Sequence, residues 1–148
     1  MASKESVIEL FSTLASPNDK VWPHEYWPKI RFKDGLHQEA QGGHGPIRYQ
    51  VIGYDPSHFI TFKFERPFGF HGFHKFEITE ISRSETQVQH TIDIQTSGLG
   101  TMKWLFAIRW LHDALIEDAF DKIENQINNK QVKARWSIWV KILRVILK

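Results

Sequence analysis

The chain has 148 residues, 41% of them hydrophobic and 24% charged, with a formal charge of +2 at pH 7. This length suits one domain with a sizeable core, and the composition is that of a globular protein. With no cysteine present, disulfides, thiolate catalysis and cysteine-ligated zinc are excluded.

The positive charge is unevenly placed. Lys130, Lys133, Arg135, Lys141, Arg144 and Lys148 all follow the last acid, Glu124, leaving 13 of the 19 basic residues against all 17 acidic ones in the preceding chain. That acidic body argues against nucleic acid as a partner. The opening residues, MASKESVIELF, lack the pattern of a secretory signal. No stretch reaches the 18 apolar residues of a spanning helix. A cytoplasmic location is expected, with membrane association left to the tail.

Val7 to Leu14 has the composition of a strand. Ser16-Pro17-Asn18-Asp19 reads as the start of a short helix, with Ser16 capping and Pro17 at its first position, ended by Pro23 and Pro28. Lys29 to Phe32 suits a short strand, and Gly42-Gly43-His44-Gly45-Pro46 a loop or a structural glycine bulge. Four alternating segments follow, separated by turn signals at Asp55-Pro56-Ser57, Pro67-Phe68-Gly69 and Arg83-Ser84-Glu85. Strand parity places Ile47, Tyr49 and Val51 on one inner face, then Ile60, Phe62 and Phe64, then His74, Phe76 and Ile78, then Val88, His90, Ile92 and Ile94.

Thr101 to Asn128 has helical periodicity and would be about 42 Å long. Its apolar stripe holds Leu105, Ile108, Leu111, Leu115, Ile116, Ala119, Phe120, Ile123 and Ile127. His112 sits in the middle of that stripe. Consecutive strands with short turns, followed by one long helix, predict an α+β domain with a curved antiparallel meander wrapped around the helix. Residues 1–129 form this domain, and 130–148 a basic amphipathic tail helix, from about Val132 onward.

The Ser16-Pro17 pair, Val21-Trp22, Trp27-Pro28, the meander and the long helix resemble the START-like superfamily. The stretches GGHGPIRY (Gly42–Tyr49), GFHGFHKFE (Gly69–Glu77) and LHDALIED (Leu111–Asp118) are similar to its polyketide cyclase/dehydrase-like branch. The resemblance spans roughly residues 6 to 128. It implies a helix-grip fold, a first strand at the N-terminus and a ligand cavity between sheet and helix. The superfamily shares this cavity rather than a catalytic signature.

Parity and helical phase direct His74, His90 and His112 inward, and His44 borders the same space. Such imidazoles can bind a ligand, relay a proton or serve as buried structural groups. They are the candidate catalytic residues. The candidate ligand-binding set adds Tyr49, Phe62, Phe64, Phe76, Ile92, Ile108 and Leu115 to His44 and the three inward histidines. No nucleophile elbow or phosphate loop is present. No HxH or HxxxH spacing and no inward carboxylate is evident, so neither a metal nor another cofactor is expected.

The expected function is binding of a small hydrophobic molecule, aromatic or lipid-like. The alternatives are a cyclase/dehydratase-type enzyme using the cavity histidines, and an interaction module acting through its tail. Trp136, Trp139, Leu143 and Leu147 would carry a peripheral membrane contact or a homodimer contact. The plainer expectation is that the tail packs on the chain's own body, where Phe106 and Trp110 could dock it, or on a second copy.

Overall fold

The computed structural model describes residues 2–147. Its first element is helix α1, Lys4–Phe11, where the sequence reading places a strand. The β-branched composition is outweighed by local capping and by helical spacing of the apolar residues. Ser3 accepts a hydrogen bond from the Ser6 amide, Glu5 lies in the first turn, and Val7, Leu10 and Phe11 share the buried face. Burying each contributes about 1.5–3 kcal/mol before entropic costs. The helix rests on the sheet and the long helix, and the Thr86 hydroxyl donates to the Ala2 carbonyl.

No helix forms from Ser16 to Pro28; the chain runs there in turns. Buried Asp19 explains this outcome. Its carboxylate accepts from the amides of Ala15, Val21 and Trp22 at 2.7–2.8 Å, so those donors are satisfied without helical bonds. This coil buries Trp22 and Trp27, and the Trp22 indole donates to the Pro28 carbonyl.

Six strands follow in chain order: β1 (Arg31–Phe32), β2 (Gln41–His44), β3 (Ile47–Asp55), β4 (Phe59–Arg66), β5 (Phe70–Ser82) and β6 (Glu85–Thr96). Each pairs antiparallel with the next in one sheet. Register shifts in β3 and at the end of β5 add twist and help curl the sheet. Gly42 and Gly43 lie in regular strand pairing rather than in a loop or bulge; only Gly45 and Pro46 make the turn. Gly42 is required by close approach, since an added Cβ would meet the Phe32 ring at 2.5 Å.

The concave face carries the residues that strand parity predicts. Tyr49, Val51, Ile60, Phe62, Phe64, His74, Phe76 and Ile78 are all buried. One continuous helical segment covers them: α2 (Leu99–Lys103), a π turn (Trp104–Ile108) and α3 (Arg109–Asn128). The π turn adds a residue to the helical repeat and changes the phase. Leu105, expected inside, is therefore 48% exposed, and Trp104 turns inward against Phe70 and His112. The architecture is α+β, a curved antiparallel sheet gripping a long helix.

Asn129 ends α3 in the left-handed conformation, as an Asn helix terminus allows. The next residues are not helical. Helix α4 spans Ile138–Ile146 and starts at Ser137, whose hydroxyl accepts from the Val140 amide. This is later than the expected start near Val132, because earlier backbone groups are bonded to α3 side chains instead. Asn125 holds the Val132 amide and carbonyl, and Asp121 accepts from the Ala134 amide. The expected terminus at Lys148 lies outside the described residues. Among those described, no helix is long and apolar enough to cross a membrane.

Candidate functional site: a histidine cluster beneath an apolar cleft

The sheet register brings His74 and His90 together. His74 pairs opposite Ile92, and Phe76 opposite His90, so the two imidazoles are diagonal neighbours on the concave face. His112 reaches them from α3. Its ring centroid lies 6.1 Å from that of His74 and 5.0 Å from that of His90. His74 Nδ1 and His90 Nε2 are 3.1 Å apart, at hydrogen-bond distance. Three other buried nitrogens, His74 Nε2 and both of His112, have no hydrogen-bond partner among the described residues. Asp113 Oδ1 stands 3.5 Å from His112 Nδ1, a contact too long for a good hydrogen bond.

The cluster is held in an aromatic setting. Phe62 stacks on His74 at 4.9 Å, and Phe76 meets the edge of His90 at 4.7 Å. Tyr49 and Phe64 also pack on His74, at 4.7 Å and 5.4 Å. Tyr49 shares a 2.8 Å hydrogen bond with His44 Nε2, whose ring also packs on Trp22 at 4.8 Å.

These surroundings disfavour charge. Burial first, then the neighbouring imidazole of His112, pushes His90 down to about 3. The same causes, with Arg48 adding a smaller effect, bring His44 to about 3. Burial and the histidine neighbours hold His74 well below the usual imidazole range. Burial raises Tyr49 above its ordinary value. His44, His74 and His90 are therefore neutral at pH 7, each with one lone pair and one N–H.

A cleft of about 520 Å³ lies over one end of this cluster. Of the sequence-predicted ligand residues, His44, Tyr49, Phe64, Ile108, His112 and Leu115 line it. Phe62, His74, Phe76, His90 and Ile92 do not; the first four pack beneath it as the support of the cluster, and Ile92 packs against the core. The sequence reading missed Trp27, Trp104 and Leu111 on the walls. It also missed that the tail supplies one wall, through Leu143, Arg144 and Leu147. A wider groove of about 920 Å³ beside β1 to β3 carries Lys29, Arg31, Lys33 and Arg48. It is an open basic edge, whereas the smaller cleft has apolar walls and a polar end.

The tail is seated by a buried carboxylate that the sequence reading placed outward. Asp118 Oδ2 accepts from the Trp27 indole at 2.7 Å and from the Trp136 indole at 2.8 Å. The two rings meet edge to face. The Arg144 guanidinium lies over both, at 4.3 Å and 4.2 Å, in cation–π geometry. Trp136 and Leu143 are thus engaged within the chain, while Trp139 and Leu147 remain exposed. The expected support from Phe106 and Trp110 is slight. Trp139 donates to the Phe106 carbonyl, and both rings stay exposed.

No family model and no curated protein matches the chain. Solved structures share its fold, among them two of low sequence identity. One is a solution structure of a structural-genomics target from Thermobifida fusca, with a TM-score of 0.62, 11% identity, and coverage of 92% of this chain and 93% of that one. The other is CalU16 from Micromonospora echinospora, with a TM-score of 0.56, 14% identity, and coverage of 98% of this chain and 76% of that one. At these identities the likeness is one of fold, an α+β sheet-and-helix architecture.

Proposed function

We propose that this chain is a START-like helix-grip domain that binds one small, largely apolar molecule carrying an oxygen function. The supporting observation is the cleft itself. Its volume of about 520 Å³ lies in the range of small-molecule sites, which join apolar walls to a few polar groups. Phe64, Trp104, Ile108 and Leu115 supply apolar surface, and His112 with the His44–Tyr49 pair supplies the polar end. A fused aromatic ring with one hydroxyl or carbonyl matches this division. The reading predicts that 2-naphthol binds more tightly than naphthalene in calorimetric titration. Replacing Ile108 by Trp, which fills the cleft, should weaken naphthol binding about tenfold or more, a change of about 1.4 kcal/mol. Equal affinity for the two probes, or binding untouched by Ile108→Trp, would count against it.

A second reading, a cyclase/dehydratase-type enzyme, is favoured by His112. It lines the cleft, and neither of its ring nitrogens has a hydrogen-bond partner among the described residues. A ligand hydroxyl or acidic C–H placed there could be met by a general base. His112→Leu would then abolish turnover while keeping the binding of naphthalene, which uses only the apolar walls. If a reaction is found and survives this change, the enzyme reading fails.

The tail reading is reshaped by the way α4 docks. Trp139, Ile142 and Ile146 remain exposed beside Lys141, a face suited to a peripheral anionic bilayer contact. Sedimentation with anionic vesicles should decrease in salt and with Trp139→Ser; no vesicle binding at low salt removes this role.

A further inference from the structure

Three histidines from three elements converge as no sequence spacing announces. The sequence reading expects no metal because it finds no HxH or HxxxH pair. That rule covers chelates made within one strand or one helix turn. Here the antiparallel register joins β5 to β6, and α3 adds the third residue from above. One ligand atom from each of His74, His90 and His112 lies within 4.8 Å of the others. Two of the three residues already have nitrogens 3.1 Å apart. Ligands about 2.0–2.1 Å from a tetrahedral zinc ion stand roughly 3.4 Å from one another, so small ring rotations would bring the third nitrogen into place.

A second observation is independent of this convergence. The His112 side chain is only 10% exposed, yet neither of its ring nitrogens has a hydrogen-bond partner among the described residues. Buried polar atoms are normally satisfied. One hydrogen bond between His74 and His90 cannot satisfy three imidazoles. The position of Asp113 adds a third feature. Its carboxylate stands on the Nδ1 side of His112, where an outer carboxylate orients a metal-bound imidazole and leaves Nε2 as the ligand atom.

We propose that His74, His90 and His112 form a mononuclear site for a divalent transition-metal ion of the zinc or cobalt type. Three imidazoles are a borderline-soft donor set suited to such ions and unsuited to calcium or magnesium. With three protein ligands the ion keeps an open position, as catalytic rather than purely structural sites do. His112 is the member that reaches the cleft, so the open position would accept an oxygen atom of water or of a bound molecule. This assignment stands on the cluster alone and does not depend on the nature of any organic ligand.

The test uses the full chain, treated with a chelator, dialysed, and titrated with Co²⁺ alone. Expected are one ion per chain, visible absorption of four- or five-coordinate cobalt, and hyperfine-shifted proton signals from three imidazole rings. His90→Gln and His112→Gln should each weaken binding by roughly 100-fold or more, at or beyond the upper end of the 10–100-fold that loss of an outer-shell group gives. The exposed His58 and His71 serve as controls, and His58→Gln and His71→Gln should bind as the parent does. Should a variant fail to fold by circular dichroism, the three shifted imidazole signals of the parent decide alone. No uptake, fewer than three ring signals, or binding that follows the control histidines overturns the proposal and leaves an adventitious ion only.

Discussion

Replacing Asp118 tests how the tail becomes part of the cleft. This carboxylate is buried and holds two indole N–H groups, one from Trp27 and one from Trp136. A hydrogen bond to a charged acceptor contributes about 1.5–3 kcal/mol. Removing both by Asp118→Ala therefore costs about 3–5 kcal/mol, with the lower end favoured because the change also relieves the desolvation of a carboxylate. Asp118→Asn keeps an acceptor oxygen and should cost about half as much. The informative experiment is a double-mutant cycle with Trp136→Phe, which removes the N–H and keeps a ring against Trp27 and Arg144. Urea unfolding of the four proteins should give a coupling of about 1–2 kcal/mol. Trypsin should also cut after Lys133 or Arg135 faster in Asp118→Ala, because the tail is released. Coupling below about 0.3 kcal/mol, with unchanged proteolysis, would show that the tail is not held through this carboxylate.

Three further expectations follow from the same geometry. His44 is held near 3 against about 6.5 in an unfolded chain, so the unfolded state takes up the proton first. Its contribution is complete above about pH 6.5 and is lost as pH falls toward 3, amounting to about 2 kcal/mol at pH 5; His44→Gln should flatten the pH dependence of urea unfolding by that amount, and an unchanged slope refutes the assignment. His112→Leu should leave metal-free protein equally stable or up to about 1 kcal/mol more stable, since two unpartnered buried nitrogens are removed, and a loss above about 3 kcal/mol in thermal or urea unfolding would reveal a hydrogen-bond network instead. The π turn predicts that Trp104→Ala costs about 2–3 kcal/mol while Leu105→Ala costs under about 0.5 kcal/mol; the reverse order would restore the regular helical phase.

Strand parity was a reliable guide because alternation is a local property and short turns fix the pairing. Tyr49, Phe62, Phe64, His74 and Phe76 all fall on the concave face as their positions predict. Helical phase was reliable only from the last residue of the π turn onward. Ile108, Leu111, His112 and Leu115 face the cleft, but Leu105 and Trp104 exchange places because one inserted residue rotates everything before it. Val7 to Leu14 was misread for a different reason. Its side chains suit a strand, whereas the Ser3 cap and the spacing of Val7, Leu10 and Phe11 select a helix. Asp19 shows the opposite case, a residue expected to start a helix that satisfies the backbone so fully that none forms.

The parts of the site that sequence did not disclose are those made by distant contacts. Asp118 looks like one more acid on a helix rich in acids. It is buried because Trp27 and Trp136 arrive from 91 residues before it and 18 after it. The tail's amphipathic pattern was visible, but not which surface it would cover, and so its role as a cleft wall was not. The histidine cluster was half legible. Strand parity gave the inward direction of His74 and His90 and helical phase that of His112, and only the β5–β6 register and the seat of α3 bring their nitrogens within 4.8 Å.

The central claim is that the cleft over these histidines holds a small organic molecule. Native mass spectrometry of freshly purified full-length protein tests it most directly, because copy number and retained mass are read together. The account predicts one organic adduct per chain, or a bare chain that takes up one 2-naphthol, with uptake reduced by Ile108→Trp. A bare chain that takes up no naphthol, or one that takes up several copies regardless of Ile108→Trp, would contradict it.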